Sequence, residues 1–492
     1  MVESQAKRFV KHTGIYAIGN IARQLTGFIM LPIYTRYLTP ADYGVVGLLI
    51  FSLSLIEIIF GARMGQAMPK FYHAEQNQES RSEIIATAWV LTTSISLITC
   101  IILMVNGEGI SLFLFDTSQF TLAVTLFCIN LVTMGMENYG LIYLRIREMP
   151  ILFVSIGIIK LIIQVALNIY LVIIQELGVL GVVLSSVIAS SLFALGLSLF
   201  TLHHTRLRFK VEKAKELIIF SWPLWLAGFA ALYIGSSNRY YIGHIVSLDN
   251  VGFFELASKF SQILMVLIWV PIMQYWEVER FKYYDAAQPA PAIYRDMHKV
   301  ICIFLISASL AIVLFSKPAI IIMADSAFHE AYKAVVWLVF ASLIECMTMY
   351  TNFSFQAASR TKIIRNNNYI TAFIVTILYL MLIPVMGFVG AAMALCLARL
   401  MQFYLAYMAS KKIYDMQLDI KSIFYLISCS FIVVIISDQI VIHNIIYETV
   451  FRITVYLLSL LWLWFFIKRD VVLYELAMRI LVHLPLVGKI AR

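Results

Sequence analysis

From residue 13 onward, long apolar runs alternate with short polar ones. The runs fall at 13–35, 43–64, 84–105, 119–142, 151–174, 178–202, 217–238, 250–275, 296–316, 331–356, 367–386, 388–409, 421–441 and 448–467. Each is about 20 residues long, the length an α-helix needs to cross the hydrocarbon core of a bilayer. A membrane-barrel strand would instead alternate apolar and polar positions over about ten residues, and these runs are near-continuous. Without water, every backbone N–H and C=O needs a partner inside the chain, and a helix supplies one for each. The pattern therefore predicts an all-α, polytopic membrane protein with about fourteen transmembrane helices.

Composition sharpens this reading. Of 492 residues, 61% are hydrophobic and 13% charged, against roughly 45–50% and about 25% in soluble domains. A soluble fold could not hide that apolar surface. The polar, basic residues 1–12 lead into a run too long for a signal-peptide core and without a small-residue cleavage site, so it reads as a retained first helix. Beyond residue 470 the chain is too short and too charged to span again. It reads as an amphipathic helix on the cytoplasmic face, with a partner-binding tail as the alternative.

Charge orients the helices. With the N-terminus in the cytoplasm, the cytoplasmic segments carry 28 of the 37 Lys and Arg residues. The opposite side carries five: Arg36, Arg239, Lys317, Lys333 and Arg452. That asymmetry is the positive-inside signal, and one misplaced helix would scramble it. It puts both termini in the cytoplasm. It also explains the net charge of +9 as basic loops facing an anionic leaflet, without nucleic acid as a partner.

The chain repeats itself. Leu38-Thr39-Pro40-Ala41-Asp42-Tyr43-Gly44 returns as Val246-Ser247-Leu248-Asp249-Asn250-Val251-Gly252, with hydroxyl, Asp/Asn and Gly at an offset of 208. Each segment enters an even-numbered helix, which its Ser/Thr and Asp/Asn can cap. Gly178 and Gly181 return as Gly387 and Gly390 at an offset of 209. Two motifs returning at offsets one residue apart indicate duplicated six-helix lobes in parallel orientation, with a substrate site expected between them. The expected organisation is an N-terminal lobe over 1–210, a C-terminal lobe over 211–415, added helices over 416–470 and the tail over 471–492.

Charges inside the spans are the candidate chemistry. They are Arg23, Lys160, Lys259 and Arg399, with the acids Glu57, Glu137, Glu255 and Glu345. A charge at membrane depth costs several kcal/mol and should face a wet cavity or a partner. Glu255 and Lys259, one helical turn apart, can pair directly. Neither Arg23 nor Lys160 has an acid one turn away. If the four cations converge, they make a chamber suited to phosphate, and the acids become coupling groups or counter-ions. The competing reading makes each a packing salt bridge or a side chain reaching for the interface. Arg239, at the outer end of the seventh helix, could guide an anionic headgroup or merely anchor the interface. Tyr34, Tyr37, Tyr43, Tyr240 and Tyr241 gather at outer helix ends, as an aromatic belt or a sugar-stacking surface. The six cysteines all fall in apolar runs without paired spacing or nearby histidines, so no disulfide framework, metal site or cofactor is expected.

The run GNIARQLTGFIMLPIYTRYLTPADYGVVGLL, its half-repeat IVSLDNVGFFELASKFSQIL, and LIPVMGFVGAAMALCLARL resemble the Wzx-type O-antigen and polysaccharide flippases. That family shares a superfamily with the MATE multidrug exporters and the lipid II flippases. The resemblance spans residues 10–470 and implies two six-helix lobes in a V around a central cavity, working by alternating access. It implies an undecaprenyl-pyrophosphate-linked oligosaccharide as substrate, a precursor of O-antigen, capsule or exopolysaccharide. It also implies residence in a bacterial inner membrane, a proton or sodium as coupling ion, and glycosyltransferases and a polymerase as partners. Arg23 matches a helix-1 arginine of the lipid II flippases, and helices 13 and 14 could form a groove for the lipid tail. MATE exporters carry an acid in helix 1 or 7, which this chain lacks. That weakens drug–cation antiport as the alternative. A membrane enzyme such as a polymerase would need a sizeable outer loop with catalytic groups, and the longest outer segments, 236–249 and 317–330, are short and carry none.

The charge asymmetry gives a first prediction. Single cysteines placed in a variant without the native six should react with an impermeant maleimide from outside the cell at residue 325. At residue 208 they should react only after the membrane is opened. Labelling of residue 208 in intact cells would reverse the assigned orientation.

Overall fold

The computed structural model describes residues 28, 30–60, 64–284, 291–440, 442 and 444–470. Arg23 and the expected tail helix lie outside the described residues.

Every regular element among the described residues is helical. Twelve of these helices are long and apolar enough to cross a membrane, so the chain is a multi-pass membrane protein. The longest, Lys362–Ile413, holds 52 residues, about 78 Å at 1.5 Å per residue and more than two crossings of a ~30 Å core. Gly387 breaks it with φ 58° and ψ −137°. The expected eleventh and twelfth spans are therefore two crossings joined at a sharp bend. The other expected spans from the second to the fourteenth each correspond to one observed helix, and Leu31–Tyr37 is the described end of the first.

Three segments read as loops are helical instead: Ala67–Ala74, Gly107–Phe115 and Asn238–Ile245. Each buries residues that anchor it, including Met68, Leu114 and Ile242, and burial outweighs the weak length signal. One-turn π-helical stretches occur at Ile169–Ile174 and Leu264–Trp269.

The repeat has a geometry. Thr39 and Asp42 form a reciprocal capping box: the Thr39 amide donates to Asp42 Oδ2 at 3.1 Å, and the Asp42 amide to Thr39 Oγ1 at 3.1 Å. In the second copy the Asn250 amide donates to Ser247 Oγ at 3.3 Å. The two helices so capped meet at the repeated glycines. A Cβ on Gly44 would lie 2.1 Å from the Leu248 carbonyl oxygen, and one on Gly252 would lie 2.0 Å from that of Pro40. The other glycine pair repeats a conformation: Gly178 has φ 54° and Gly387 φ 58°, a region that costs other residues roughly 1–2 kcal/mol. Asn250 Oδ1 accepts from the Phe388 amide at 3.4 Å just past the second bend.

The chain divides into two compact units, Met1–Glu255 with Tyr379–Ala391, and Leu256–Leu378 with Ala392–Arg492. In the first, Val45, Leu48, Phe115, Val124, Leu131 and Val183 share one core. Hydrogen bonds tie its helices where lipid offers no competing partner. Ser190 Oγ donates to Asn130 Oδ1 at 2.6 Å, and Ser185 Oγ to Asn168 Oδ1 at 2.6 Å. Val105 and Val385 in this unit are each 81% exposed.

In the second unit, ions fasten the added helices. Lys299 bridges Asp419 at 3.0 Å and Asp470 at 2.9 Å. Burial works against the Asp419 charge, but hydrogen bonds from Ser422 and Lys299 hold its carboxyl below its usual range. Near the opposite end of the Pro291–Met323 helix, Lys317 pairs with Glu448 at 2.8 Å. Arg452, counted in the sequence as an outer-loop base, lies inside the Ile445–Arg469 helix and is 1% exposed. It donates to Asp438 Oδ1 at 2.9 Å and to the Leu314 carbonyl at 2.9 Å.

The glycine crossing is testable. Gly252→Ala must push the helices apart and should cost about 1–3 kcal/mol, read as a fall in thermal midpoint in detergent. Gly109→Ala, with no atom within 4 Å of the added carbon, should leave the midpoint unchanged or raise it. Equal midpoints for Gly252→Ala and the parent would refute the close crossing.

Candidate functional site

Three of the cations singled out in the sequence meet a carboxylate on another helix. Lys160, in the Pro150–Asn168 helix, pairs with Glu137 of the Ile129–Ile146 helix. Arg399 donates to Glu345 Oε1 at 2.7 Å and to Gln402 Oε1 at 2.7 Å, and is 7% exposed. Gln402 in turn donates to Asn368 Oδ1 at 2.9 Å, so this pair ends in a network of amides. Arg239 pairs with Glu255, donates to Asn238 Oδ1 at 3.0 Å, and stacks its guanidinium 5.7 Å from the centre of the Phe254 ring.

One expected pairing is corrected here. Glu255 is held by Arg239 and not by Lys259 one turn along its own helix. Arg239, expected as a headgroup guide or an interfacial anchor, is set by the Asn238–Ile245 helix against Glu255. Lys259 is half-buried and has no ion-pair partner among the described residues.

The repeat runs through these pairs. Glu137 and Glu345 stand 208 residues apart, so the acid occupies the same place in each copy. The cation does not: Lys160 comes from the fifth helix of its half and Arg399 from the sixth. Glu255 has Gly47 as its repeat partner at that same offset. A Cβ on Gly47 would lie 2.4 Å from Glu255 Cγ. The first copy leaves out a side chain where the second copy's acid lies.

One of the pairs opens onto a cavity. Within the first unit, a space of about 600 Å³ is lined by Glu57, Glu137 and Lys160, with Gln66, Asn138 and Trp225 among its other walls. Glu57 is 8% exposed. A smaller recess of about 290 Å³ continues along Lys160 to Gln164. Charged walls at the depth of lipid chains must be solvated by water or by a polar ligand. Among the described residues the cavity's charged walls are Glu57, Glu137 and Lys160. The sequence pattern could not supply Asn138, Gln66 and Trp225, since only tertiary packing sets them beside the charges. Of the outer tyrosines, Tyr43 is buried beside Tyr34 at 6.2 Å between ring centres, Tyr37 is exposed, and Tyr241 bonds Tyr233 through their hydroxyls at 2.9 Å. Among the described residues no group of three or more His, Cys, Asp or Glu could hold a metal, and the six cysteines are free.

Comparison places this architecture. Among curated proteins, none matches the chain in sequence. A solved structure of the lipid II flippase MurJ, in an inward closed conformation, superposes with a TM-score of 0.73 at 14% identity, covering 94% of this chain and 99% of that one. An inward-facing multidrug-resistance MATE transporter of the MOP superfamily gives a TM-score of 0.63 at 12% identity, over 82% of this chain and 99% of that one. The Vibrio cholerae MATE transporter VcmN gives 0.56 at 13% identity, over 83% and 97%. At such identities the likeness establishes the fold. The sequence model described as "Polysaccharide biosynthesis protein" matches residues 9–276, more than half of the chain, and so this multi-pass helical membrane protein belongs to the polysaccharide biosynthesis protein family.

Proposed function

We propose that this chain is a flippase. It moves an undecaprenyl-pyrophosphate-linked oligosaccharide repeat unit from the inner to the outer leaflet of a bacterial inner membrane, by alternating access and without covalent chemistry. The product feeds O-antigen, capsule or exopolysaccharide assembly beside glycosyltransferases and a polymerase. The observation that carries this reading is the polar cavity bounded by Glu57, Glu137 and Lys160 within apolar helices, in a chain of a polysaccharide biosynthesis family. A sugar headgroup is what a bilayer cannot pass and such a cavity can solvate. The lobes at 1–210 and 211–415, the cytoplasmic termini, and a proton or sodium as coupling ion belong to the same proposal. Lys259, without a carboxylate partner among the described residues, is assigned to phosphate in preference to the paired Lys160, Arg239 and Arg399. Arg23 keeps that assignment from its resemblance.

A second reading is drug–cation antiport. The observation in its favour is that the carboxylates of Glu57 and Glu137 line the same cavity, since acids suit a cation. The two readings part in proteoliposomes. Flippase activity exposes a lipid-linked glycan to an external glycosidase, whereas antiport accumulates ethidium against a proton gradient.

Cells carrying the gene deletion should accumulate single lipid-linked repeat units and lose surface polysaccharide, and the gene supplied in trans should reverse both. Lys160→Ala leaves Glu137 beside Glu57 without its cation, an uncompensated charge at membrane depth. It should cut surface polysaccharide by about tenfold, the equivalent of ~1.4 kcal/mol. Lys160→Gln with Glu137→Gln, which removes both charges, should express at the parent level. Parent-level export by Lys160→Ala would remove the pair from the transport path.

A further inference from the structure

Residues 206–210 join two membrane spans, Gly178–Thr205 and Val211–Ser236. Five residues reach at most about 18 Å, so this segment stays near the depth at which both helices leave the hydrocarbon. Its side chains sort by position. Arg208 pairs with Glu79, Lys210 with Glu83 at 2.9 Å, and Lys213, in the first turn of the following helix, with Glu75 at 2.7 Å. These acids recur every four residues, just before and along the Gln78–Val105 helix, a spacing that stacks side chains on one helix face. Thr87, four residues further on, grips the backbone of the segment itself. Its hydroxyl donates to the Arg208 carbonyl at 3.4 Å and accepts from the Lys210 amide at 3.1 Å.

Leu207, Phe209 and Val211 take the alternate positions, and they are 66%, 48% and 54% exposed. Lys210 is extended, with φ −128° and ψ 124°, the geometry that sends successive side chains to opposite sides. In water the preference would run the other way, with bases facing solvent and large apolar side chains turned inward. Here the bases face carboxylates and the apolar side chains face out. Several large apolar side chains together on an outer surface mark a place of contact. The flanking helices show what meets them. Leu199 precedes the segment and Ile219 follows it; both are exposed and both belong to spans, where lipid is the surrounding solvent.

We propose that residues 206–211 form a strap that docks on the membrane surface. Leu207, Phe209 and Val211 enter the boundary between headgroups and acyl chains, and the acids of the Gln78–Val105 helix hold the bases of the strap from the other side. Under the orientation drawn from charge, this is the cytoplasmic leaflet. The partner is the lipid surface, engaged by apolar side chains. Anionic headgroups are not needed to hold the strap, because Arg208, Lys210 and Lys213 have carboxylates on the protein. The proposal goes beyond the transport reading and applies to a flippase and to an antiporter alike.

The test uses the full chain without its native cysteines, in phosphatidylcholine vesicles. One NBD fluorophore is attached to Leu207→Cys, Phe209→Cys or Glu212→Cys, each first shown to be monodisperse. Glu212 is exposed and charged and serves as the water-facing comparison. At 207 and 209, lipid carrying a nitroxide high on its acyl chain should quench the fluorophore at least about threefold more than iodide does. At 212 iodide should be the stronger quencher. Mixing in phosphatidylglycerol should leave all three results unchanged. Stronger quenching by iodide at 207 and 209 would put the apolar side chains in water and overturn the strap. Resistance to both quenchers there would show another part of the chain lying over them, and would overturn it too. Lipid quenching that appears only with phosphatidylglycerol would assign the contact to headgroup charge and refute apolar docking. Nitroxide dominance at 212 as well would refute the sorting of side chains by position.

Discussion

The neutralisation of charge inside hydrocarbon is the constraint around which this protein is arranged. A lone ammonium or carboxylate at that depth costs several kcal/mol, and the chain places several of each there. It answers with pairs drawn from different helices: Lys160 with Glu137, Arg239 with Glu255, Arg399 with Glu345. Each pair ties together elements that lipid would otherwise let slide, since the hydrophobic effect does little between helices already in an apolar solvent. Arg452 and Lys317 on Glu448, and Lys299 between Asp419 and Asp470, do the same for the added helices. The pairs therefore act as specificity devices. They set which helix face meets which, where apolar packing alone would accept several registers.

The glycines complement that arrangement. Charges decide partners, and small residues decide how near the partners come. Gly44 and Gly252 let two capped helix ends touch backbone to backbone. Gly178 and Gly387 turn the chain where any side chain would be strained. Gly47 yields its volume to Glu255. These contacts use a missing Cβ as a structural element.

Much of this was legible in the chain itself. The hydrophobic runs located the spans, because length and apolarity are all the bilayer demands. The repeated Thr39/Asp42 and Ser247/Asn250 motifs announced their caps, which depend on neighbours only three residues away. What stayed hidden was every fact set by contacts between distant segments. Spacing along a helix offered Lys259 to Glu255, but a short outer helix delivers Arg239 instead. Counting acids one turn from Lys160 found none, because its partner lies 23 residues earlier on a neighbouring helix. Arg452 read as an outer-loop base, because a helix start cannot show how deeply packing will bury it. Which charged groups share one space was also hidden, since only the fold sets Glu57, Glu137 and Lys160 around one cavity.

The repeated acid has a consequence of its own. Glu137 and Glu345 keep their station in both copies, while the base that answers them has moved to a different helix. A carboxylate wedged among several helices can be satisfied from more than one direction. Its cation is thus free to drift during divergence, provided that a replacement arrives before the first is lost. An intermediate bearing both bases would be tolerated, because the spare one can reach water or lipid phosphate. In distant kin, the acid is then the landmark by which corresponding sites should be sought. Its counter-charge should be looked for in space and not along the chain.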